Sequence, residues 1–189
     1  VTYLEDNRYI IRPANLAPQS PGEGFGIYES SSGWRVLVFE LIGRCDMQYG
    51  PDNPFLRADR ILREQEGRYD VAVCEIHASA TSEKLAMGFY LDGRVSAVYG
   101  THTHVPTADA RVNPEGTGYI TDLGMTGPKW SVLGVRKEQS IAMFRGDLTS
   151  RFEPAEGVCV LQGAVFDIDE STGKCRSVHR VEEEYVPGK

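Results

Sequence analysis

Short apolar runs alternate with amphipathic segments along most of the chain. Runs rich in β-branched residues and bounded by glycine or turn residues predict strands, whereas apolar residues that recur every three or four positions predict helices. The predicted strands are residues 34–43, 69–77, 96–100 and 118–124, followed by two strands within 157–185 that a turn at 171–173 joins. The predicted helices are residues 54–67, which Asn53 caps, 81–93 and 138–148.

This order of elements predicts an α/β fold. Strands with helices between them form a sheet with helices packed on its faces, and the closing hairpin adds an antiparallel part, so we expect a mixed sheet. No linker, repeat or low-complexity tract divides the chain, which favours a single domain over residues 1–189. In open α/β sheets ligands bind outside the carboxyl ends of the strands. His77 ends one predicted strand and His102 follows another, so both histidines are expected at one edge of the sheet.

Composition and charge narrow the possible partners. The chain has a net charge of −7, which opposes stable binding of nucleic acid, although a bound metal can still attract a small phosphate. No run approaches the roughly 18 apolar residues of a membrane span, and the opening "VTYLEDNRYIIRP" lacks the features of a secretory signal. The four cysteines are scattered without a C-x-x-C pair, which is typical of reduced thiols. We therefore expect a cytoplasmic protein without a membrane partner.

The histidines suggest a metal site. His102 and His104 lie two residues apart, so they would point the same way in extended backbone, and Gly100 permits a close approach of the chain there. His77 could supply a third imidazole nitrogen, the commonest neutral metal ligand in proteins. Three histidines at neighbouring strand ends favour a metal site over loop histidines that bond only to backbone. His179 alternates with valines in a charged segment and is predicted to lie on a surface strand.

Other candidate residues admit two interpretations. Asp122 could orient a histidine or simply belong to a turn. Arg12 and Arg44 could contact phosphate, because a guanidinium matches phosphate oxygens, or could form surface ion pairs. Glu75 lies within a strand predicted to be buried and therefore needs a partner. Ser79 does not indicate a serine hydrolase, since no G-x-S-x-G motif is present.

Several stretches of the sequence together resemble one family, the YmdB-type branch of calcineurin-like metallophosphoesterases. They are "RPAN", "DNPFLRAD", "HASATSEKLAMGFYLDGRVSAVYGTHTHVPTADARV", "GTGYITDLGMTGP" and "GVCVLQGAVFDID". The resemblance implies a bacterial cytoplasmic phosphodiesterase of cyclic nucleotides, built as a sandwich of mixed sheets with flanking helices. It also implies two divalent metal ions, of which His77 and His102 bind one and His104 binds the other. Iron, manganese or zinc suits such ligands.

The sequence departs from the family pattern at its start. The family opens with an Asp-bearing strand, a Gly-Glu-Asn segment and a Gly-Asn-His motif, which supply the bridging carboxylate, amide ligands and the catalytic histidine. None of these occurs here, and "VTYLEDNRY" matches the region just after them. The resemblance thus implies the C-terminal portion of such an enzyme, lacking its first strands and its catalytic histidine. We expect residues 1–189 alone to be inactive, to bind at most one metal weakly, and to expose the apolar edges of "WRVLVFEL" and "VAVCEI".

Two smaller departures bear on the substrate. Ser79 stands where the family usually has an acidic residue, and the family has a polar residue near Ile42. Both positions are expected to flank the pocket, so the resemblance leaves the substrate preference open.

Three functions stay open from the sequence. The first is a metallophosphodiesterase of 2′,3′- or 3′,5′-cyclic nucleotides, whose partner is a small phosphodiester. The second is a hydrolase with a single metal held by three histidines, and the third is a non-catalytic fragment that binds metal or a partner. The sequence does not decide between a monomer and a homo-oligomer.

Overall fold

The computed structural model describes residues 2–48, 50–147 and 151–186. The helices are α1 (Thr2–Asp6), α2 (Pro54–Glu64), α3 (Thr81–Tyr90) and α4 (Lys137–Phe144). The strands are β1 (Phe25–Glu29), β2 (Arg35–Ile42), β3 (Val71–His77), β4 (Ala97–Thr101), β5 (Arg111–Val112), β6 (Gly118–Ile120), β7 (Gly127–Pro128), β8 (Cys159–Ile168) and β9 (Cys175–Tyr185).

The larger sheet is mixed, as predicted. Its strand order is β1-β2-β3-β4-β6-β5, in which β2, β3, β4 and β6 run parallel while β1 and β5 are antiparallel to their neighbours. A second sheet has the order β7-β8-β9. The carboxyl ends of β2, β3 and β4 meet at one edge, where Ile42 pairs in register with His77, and His77 with Thr101. This row of three residues is the base of the candidate site.

One face of the larger sheet carries the core. Alternate residues of the strands are fully buried there against α2 and α3. They include Leu37, Phe39, Leu41, Cys74, Ile76 and Val98 from the strands, Ala58 and Ile61 from α2, and Met87 from α3. Helices thus cover this face as the sequence predicts.

The opposite face is only half-buried. Val38, Glu40, Val73, Glu75 and Tyr99 lie on it, and we call it the half-buried face. The second sheet covers its β4–β6 end, where Phe166 packs on Tyr99 with ring centroids 6.5 Å apart. The predicted buried strand at residues 69–77 is therefore buried on the face that the helices cover and half-buried on the other.

The expected apolar edges are not exposed. β2 pairs with β1 on one side and β3 on the other, and β3 pairs with β2 and β4. Both strands lie inside the sheet, so the expectation of exposed edges on "WRVLVFEL" and "VAVCEI" is wrong. The short strand β1 covers the edge of β2, and it was not among the predicted strands although "FGIYE" precedes a turn at "SSSG".

Most predicted elements are present with shifted ends. α2 begins at Pro54 after Asn53, whose side chain accepts from the backbone N–H groups of Phe55 and Leu56. The helix predicted over residues 81–93 ends at Tyr90. α4 begins at Lys137, and Leu148, the predicted end of that helix, lies outside the described residues.

The last strand and the helices bear on two further predictions. His179 is exposed on β9, as predicted. Within the described ranges, no helix combines the length and apolar character that crossing a membrane requires.

The half-buried face contains a pair of acidic side chains. Glu40 and Glu75 are register neighbours on β2 and β3. Burial raises the pKa of Glu40 from 4.5 to about 7, and the charge of Glu75 adds to the rise. The folded chain therefore keeps a proton that the unfolded chain releases, so this contribution to stability is present at acidic pH and is lost as pH rises through about 7.

Glu40→Gln is expected to reduce this pH dependence. The free energy of unfolding should fall less between about pH 5 and about pH 8 in the variant than in the wild type, because the amide does not titrate. Urea unfolding at both pH values measures the difference. Glu29→Gln, on the exposed end of β1, is the control and should follow the wild type. Equal pH dependence in both variants would contradict the assignment to Glu40.

Candidate functional site

The structure brings His77 and His102 together. His77 is the last residue of β3, and His102 directly follows β4. The Nε2 atom of His77 lies 3.2 Å from Nδ1 of His102, and the two ring planes are inclined at 83°. Two nitrogen ligands at bond lengths of about 2.1 Å, subtending between a right angle and a tetrahedral angle, lie roughly 3.0–3.4 Å apart. The contact is a hydrogen bond between the two rings, and its length also fits two ligands of a single metal ion.

A chain of hydrogen bonds orients His77. The hydroxyl of Thr101 donates to Oε1 of Glu75 at 2.7 Å, and Thr101 Oγ1 lies 2.8 Å from His77 Nδ1. Since the hydroxyl proton is already directed to Glu75, Thr101 accepts from His77 Nδ1–H. The lone pair of His77 is then on Nε2, the nitrogen that faces His102. These hydrogen bonds also give Glu75 the partner that its burial requires.

The surroundings of His77 also favour its neutral form. Burial lowers the pKa of His77, and the neighbouring His102 lowers it further. A neutral imidazole is the form that binds metals. The site thus presents His77 in the protonation state and the tautomer that a metal ligand needs.

Thr101→Val is expected to weaken metal binding by about 10–100-fold, because valine keeps the shape of threonine but cannot orient His77. Competition titration with Zn²⁺ or Mn²⁺ measures the affinity. Imidazole ¹⁵N shifts of the metal-free protein should also show His77 losing its preference for protonation at Nδ1. Thr172→Val, which alters an exposed hydroxyl in the turn between β8 and β9, is the matched control. Unchanged affinity and tautomer in Thr101→Val would contradict the proposed orientation.

His104 does not join the pair. It is exposed and lines a separate cavity of about 230 Å³ with Met125 and Gln162. In the parts of the chain that the structure covers, no three His, Cys, Asp or Glu side chains are grouped so that they could hold a metal ion. A single-ion centre built from three histidines is therefore not formed in this structure.

The loop that carries the histidines is not extended. His102 has a φ of 117° and His104 a φ of 62°. Positive φ is uncommon for residues other than glycine, and each instance costs on the order of 1–3 kcal/mol. The expectation that both side chains point the same way from extended backbone is wrong for this reason, and other contacts must hold the loop in place.

A fully buried ion pair holds this loop. Nζ of Lys84 lies 3.0 Å from Oδ2 of Asp122, and both side chains have 0% exposure. The same ammonium donates to the carbonyl of Thr101 at 3.3 Å, while Oδ2 of Asp122 accepts from the backbone N–H of Thr103 at 2.9 Å. The pair therefore fixes the backbone on both sides of His102.

Asp122 acts on backbone rather than on an imidazole. Burial would raise the pKa of Asp122, but hydrogen bonds from the backbone of Thr103 and Gly124 and from Lys84 outweigh burial and lower it. The bond from the backbone N–H of Gly124 to Oδ1 of Asp122 agrees with a turn residue, and the bonds to Thr103 and Lys84 extend that role. No hydrogen bond among the described residues joins Asp122 to an imidazole. Lys84 was not among the predicted site residues, although Lys84, Met87 and Gly88 recur at the spacing of a buried helix face.

Gly100 allows the close packing beneath the loop. A Cβ atom at this position would overlap the carbonyl oxygen of Thr121 and come within 2.7 Å of Cδ of Lys84. The sequence expectation of a close approach at Gly100 is confirmed.

The two arginine candidates lie outside the histidine pair. Arg12 donates from Nε to the carbonyl of Gly22 and from Nη1 to that of Pro13, and it lines another cavity. Arg44 is exposed, and its backbone N–H donates to the carboxylate of Glu83. No hydrogen bond or ion pair among the described residues joins either arginine to a histidine.

Comparison with known proteins identifies the family. The sequence model of the YmdB-like proteins matches residues 1–181. The chain belongs to the YmdB-like family. It is 45% identical over 179 residues to a 2′,3′-cyclic-nucleotide 2′-phosphodiesterase of Bacillus subtilis (strain 168), covering 95% of this chain and 67% of that protein.

Solved structures of similar proteins share the fold. A hypothetical protein from Thermus thermophilus matches with a TM-score of 0.87 and 38% identity over 96% of this chain and 70% of that one. A phosphatase from Mycoplasma pneumoniae matches with a TM-score of 0.86 and 33% identity over 97% of this chain and 66% of that one. The YmdB-like chain spans about two thirds of the length of these relatives. The predicted family and fold class are confirmed, and a phosphoesterase family of this type implies divalent metal cofactors.

Proposed function

We propose that the full-length protein is a metal-dependent phosphodiesterase of small cyclic nucleotides, and that this chain supplies the histidine-bearing part of its active site. The observation that carries the proposal is the 3.2 Å approach of His77 Nε2 and His102 Nδ1 at the carboxyl edge of the sheet. The similarity to the Bacillus enzyme supports 2′,3′-cyclic nucleotides as substrates, with 3′,5′-cyclic nucleotides as the alternative.

The chain's own residues have separate tasks in this proposal. His77 and His102 hold one divalent ion, and His104 belongs to a second ion of a two-metal centre. Such ions, whether iron, manganese or zinc, supply positive charge for the phosphate and acidify a water molecule. Glu75 and Thr101 keep the lone pair of His77 directed at the ion, and Lys84 with Asp122 holds the loop that presents His102.

The family pattern assigns the proton donor for the leaving group to the histidine of a Gly-Asn-His motif in an upstream segment, and residues 1–189 contain no such motif. The bridging carboxylate belongs to the same upstream segment. Two adjacent cations repel, and an anionic bridge normally offsets the repulsion. Residues 1–189 alone are therefore expected to be inactive.

The proposal is tested by assaying the full-length protein with added Mn²⁺, Fe²⁺ or Zn²⁺. We expect hydrolysis of 2′,3′-cyclic AMP and of a simple aryl phosphodiester, and loss of both activities on chelation. The 3′,5′-cyclic isomer, assayed in parallel, decides between the two substrate classes. Turnover of phosphomonoesters alone would overturn the proposed substrate class. Metal-dependent activity of residues 1–189 that His102→Ala abolishes would contradict the need for the upstream segment.

A further inference from the structure

A second polar cavity opens beside the same edge of the larger sheet. It has a volume of about 410 Å³ and lies between the loop at residues 12–18 and the start of α2. Arg12, Arg57 and Arg60 line it, and Asp52 is the one acidic residue among its lining residues. The wall of this cavity therefore carries more positive than negative charge, in contrast to the net charge of −7 of the whole chain.

The arginines of this cavity have N–H donors without acceptors among the described residues. The Nε atom of Arg57 is buried and has no hydrogen-bond partner there. Arg12 directs Nε and Nη1 to two backbone carbonyls, which fixes its guanidinium in place. None of the ion pairs formed within the described residues includes Arg12, Arg57 or Arg60. A buried N–H without an acceptor costs free energy, so an acceptor from a ligand would stabilise this wall.

The geometry of α2 brings two of these side chains together. Arg57 and Arg60 are three residues apart and lie on one side of the helix. Both follow the helix start at Pro54, where the helix dipole is positive. Guanidinium groups bind phosphate oxygens through paired N–H donors, and converging like charges favour an anion between them.

Hydrogen bonds connect this cavity to the histidine site. The side chain of Asn15 accepts from the N–H of Ile42 at 2.9 Å, and donates to the carbonyls of Ile42 at 2.7 Å and Asp52 at 2.8 Å. Ile42 is the register partner of His77, and Asp52 is on the cavity wall. One buried asparagine thus joins the cavity wall to the strand end beside His77.

We propose that Arg12, Arg57 and Arg60 bind a phosphate-type oxyanion at a site separate from the histidines and independent of metal. The anion is either free orthophosphate or the phosphate group of a nucleotide, since both present the same oxygens to guanidinium groups. This site adds to the proposed function and does not depend on it.

The test uses the full-length protein with EDTA present, so that the histidine site holds no metal. Orthophosphate and 5′-AMP are titrated by calorimetry, and each is compared with sodium chloride at equal ionic strength for its effect on the melting temperature. We expect one saturable site for orthophosphate. Arg57→Gln and Arg60→Gln should each weaken binding roughly tenfold or more, because each removes charged donors to the anion.

Two control variants make the result specific. Arg63→Gln removes the same charge from the exposed side of α2 outside the cavity and should bind like the wild type. His102→Ala should also bind like the wild type, since the anion does not use the histidines. Tighter binding of 5′-AMP than of orthophosphate would support a nucleotide phosphate, and equal binding would support the free anion.

Four results would overturn the proposal. The first is that the wild type shows no saturable binding, and the second is that both cavity variants bind as tightly as the wild type. The third is that Arg63→Gln weakens binding as much as the cavity variants do, and the fourth is that His102→Ala loses binding. The last would place the phosphate at the histidine site instead. Because Arg60 is exposed, Arg60→Gln keeps the test valid even if Arg57→Gln impairs folding.

Discussion

Lys84→Met is expected to destabilise the fold by about 3–5 kcal/mol, because it leaves the carboxylate of Asp122 buried without its cationic partner. Both side chains of this pair have 0% exposure, so water cannot solvate the remaining charge. The variant also loses the ammonium that donates to the carbonyl of Thr101. We therefore expect a less stable protein with a displaced histidine loop.

Urea unfolding of the wild type and the variants measures this effect. Lys84→Met combined with Asp122→Asn should lose less stability than Lys84→Met alone, because asparagine carries no charge yet still accepts from the backbone of Thr103. Lys137→Met, at an exposed ion pair, is the control and should change stability by no more than about 1 kcal/mol. Equal losses in Lys84→Met and Lys137→Met would show that the buried pair contributes little.

His102→Ala is expected to reduce the phosphodiesterase activity of the full-length protein by about 100-fold or more. Removing a group that only orients a metal-bound histidine costs about 10–100-fold, and a lost ligand should cost at least as much. The kcat/KM for 2′,3′-cyclic AMP measures the loss. His179→Ala, on the exposed surface of β9, is the matched control and should retain activity.

Metal content separates the tasks of the three histidines. We expect His77→Ala and His102→Ala to lower the occupancy of the same ion, because these two side chains approach each other, and His104→Ala to lower the other. Elemental analysis of the purified variants decides this. Unchanged metal content in all three variants would contradict the assignment of the histidines as ligands.

The approach of His77 and His102 to each other could be predicted from sequence because it follows from topology. Strands with helices between them run parallel, and their carboxyl ends meet at one edge. Residues that end consecutive strands, such as His77 and Thr101, are then neighbours even though they are far apart in the chain. The hydrophobic pattern locates the ends of β2, β3 and β4 to within one residue, which is enough to place the histidines, whereas the strand predicted over residues 118–124 ends at Ile120.

The orientation of the histidine loop could not be predicted in this way. The alternation of residues in the local sequence favours extended backbone at "THTH". The positive φ values of His102 and His104 instead depend on contacts from Lys84 and Asp122. These residues come from a helix and a later strand end, so no short window of sequence contains the arrangement. The half-covered sheet face was missed for a similar reason, since hydrophobic runs do not show how far a second sheet extends.

The buried pair beneath the histidine loop also has a consequence for metal selectivity. Lys84 and Asp122 fix the backbone around His102. The conformational entropy of that backbone is therefore lost when the protein folds and not when an ion binds. In the metal site proposed above, an incoming ion would therefore meet backbone that is already fixed on both sides of His102. Ions whose radius does not suit this backbone position would be disfavoured by its rigidity as well as by ligand chemistry. Substitutions that loosen the packing around α3 should therefore broaden the range of metals bound, even where no ligand is changed.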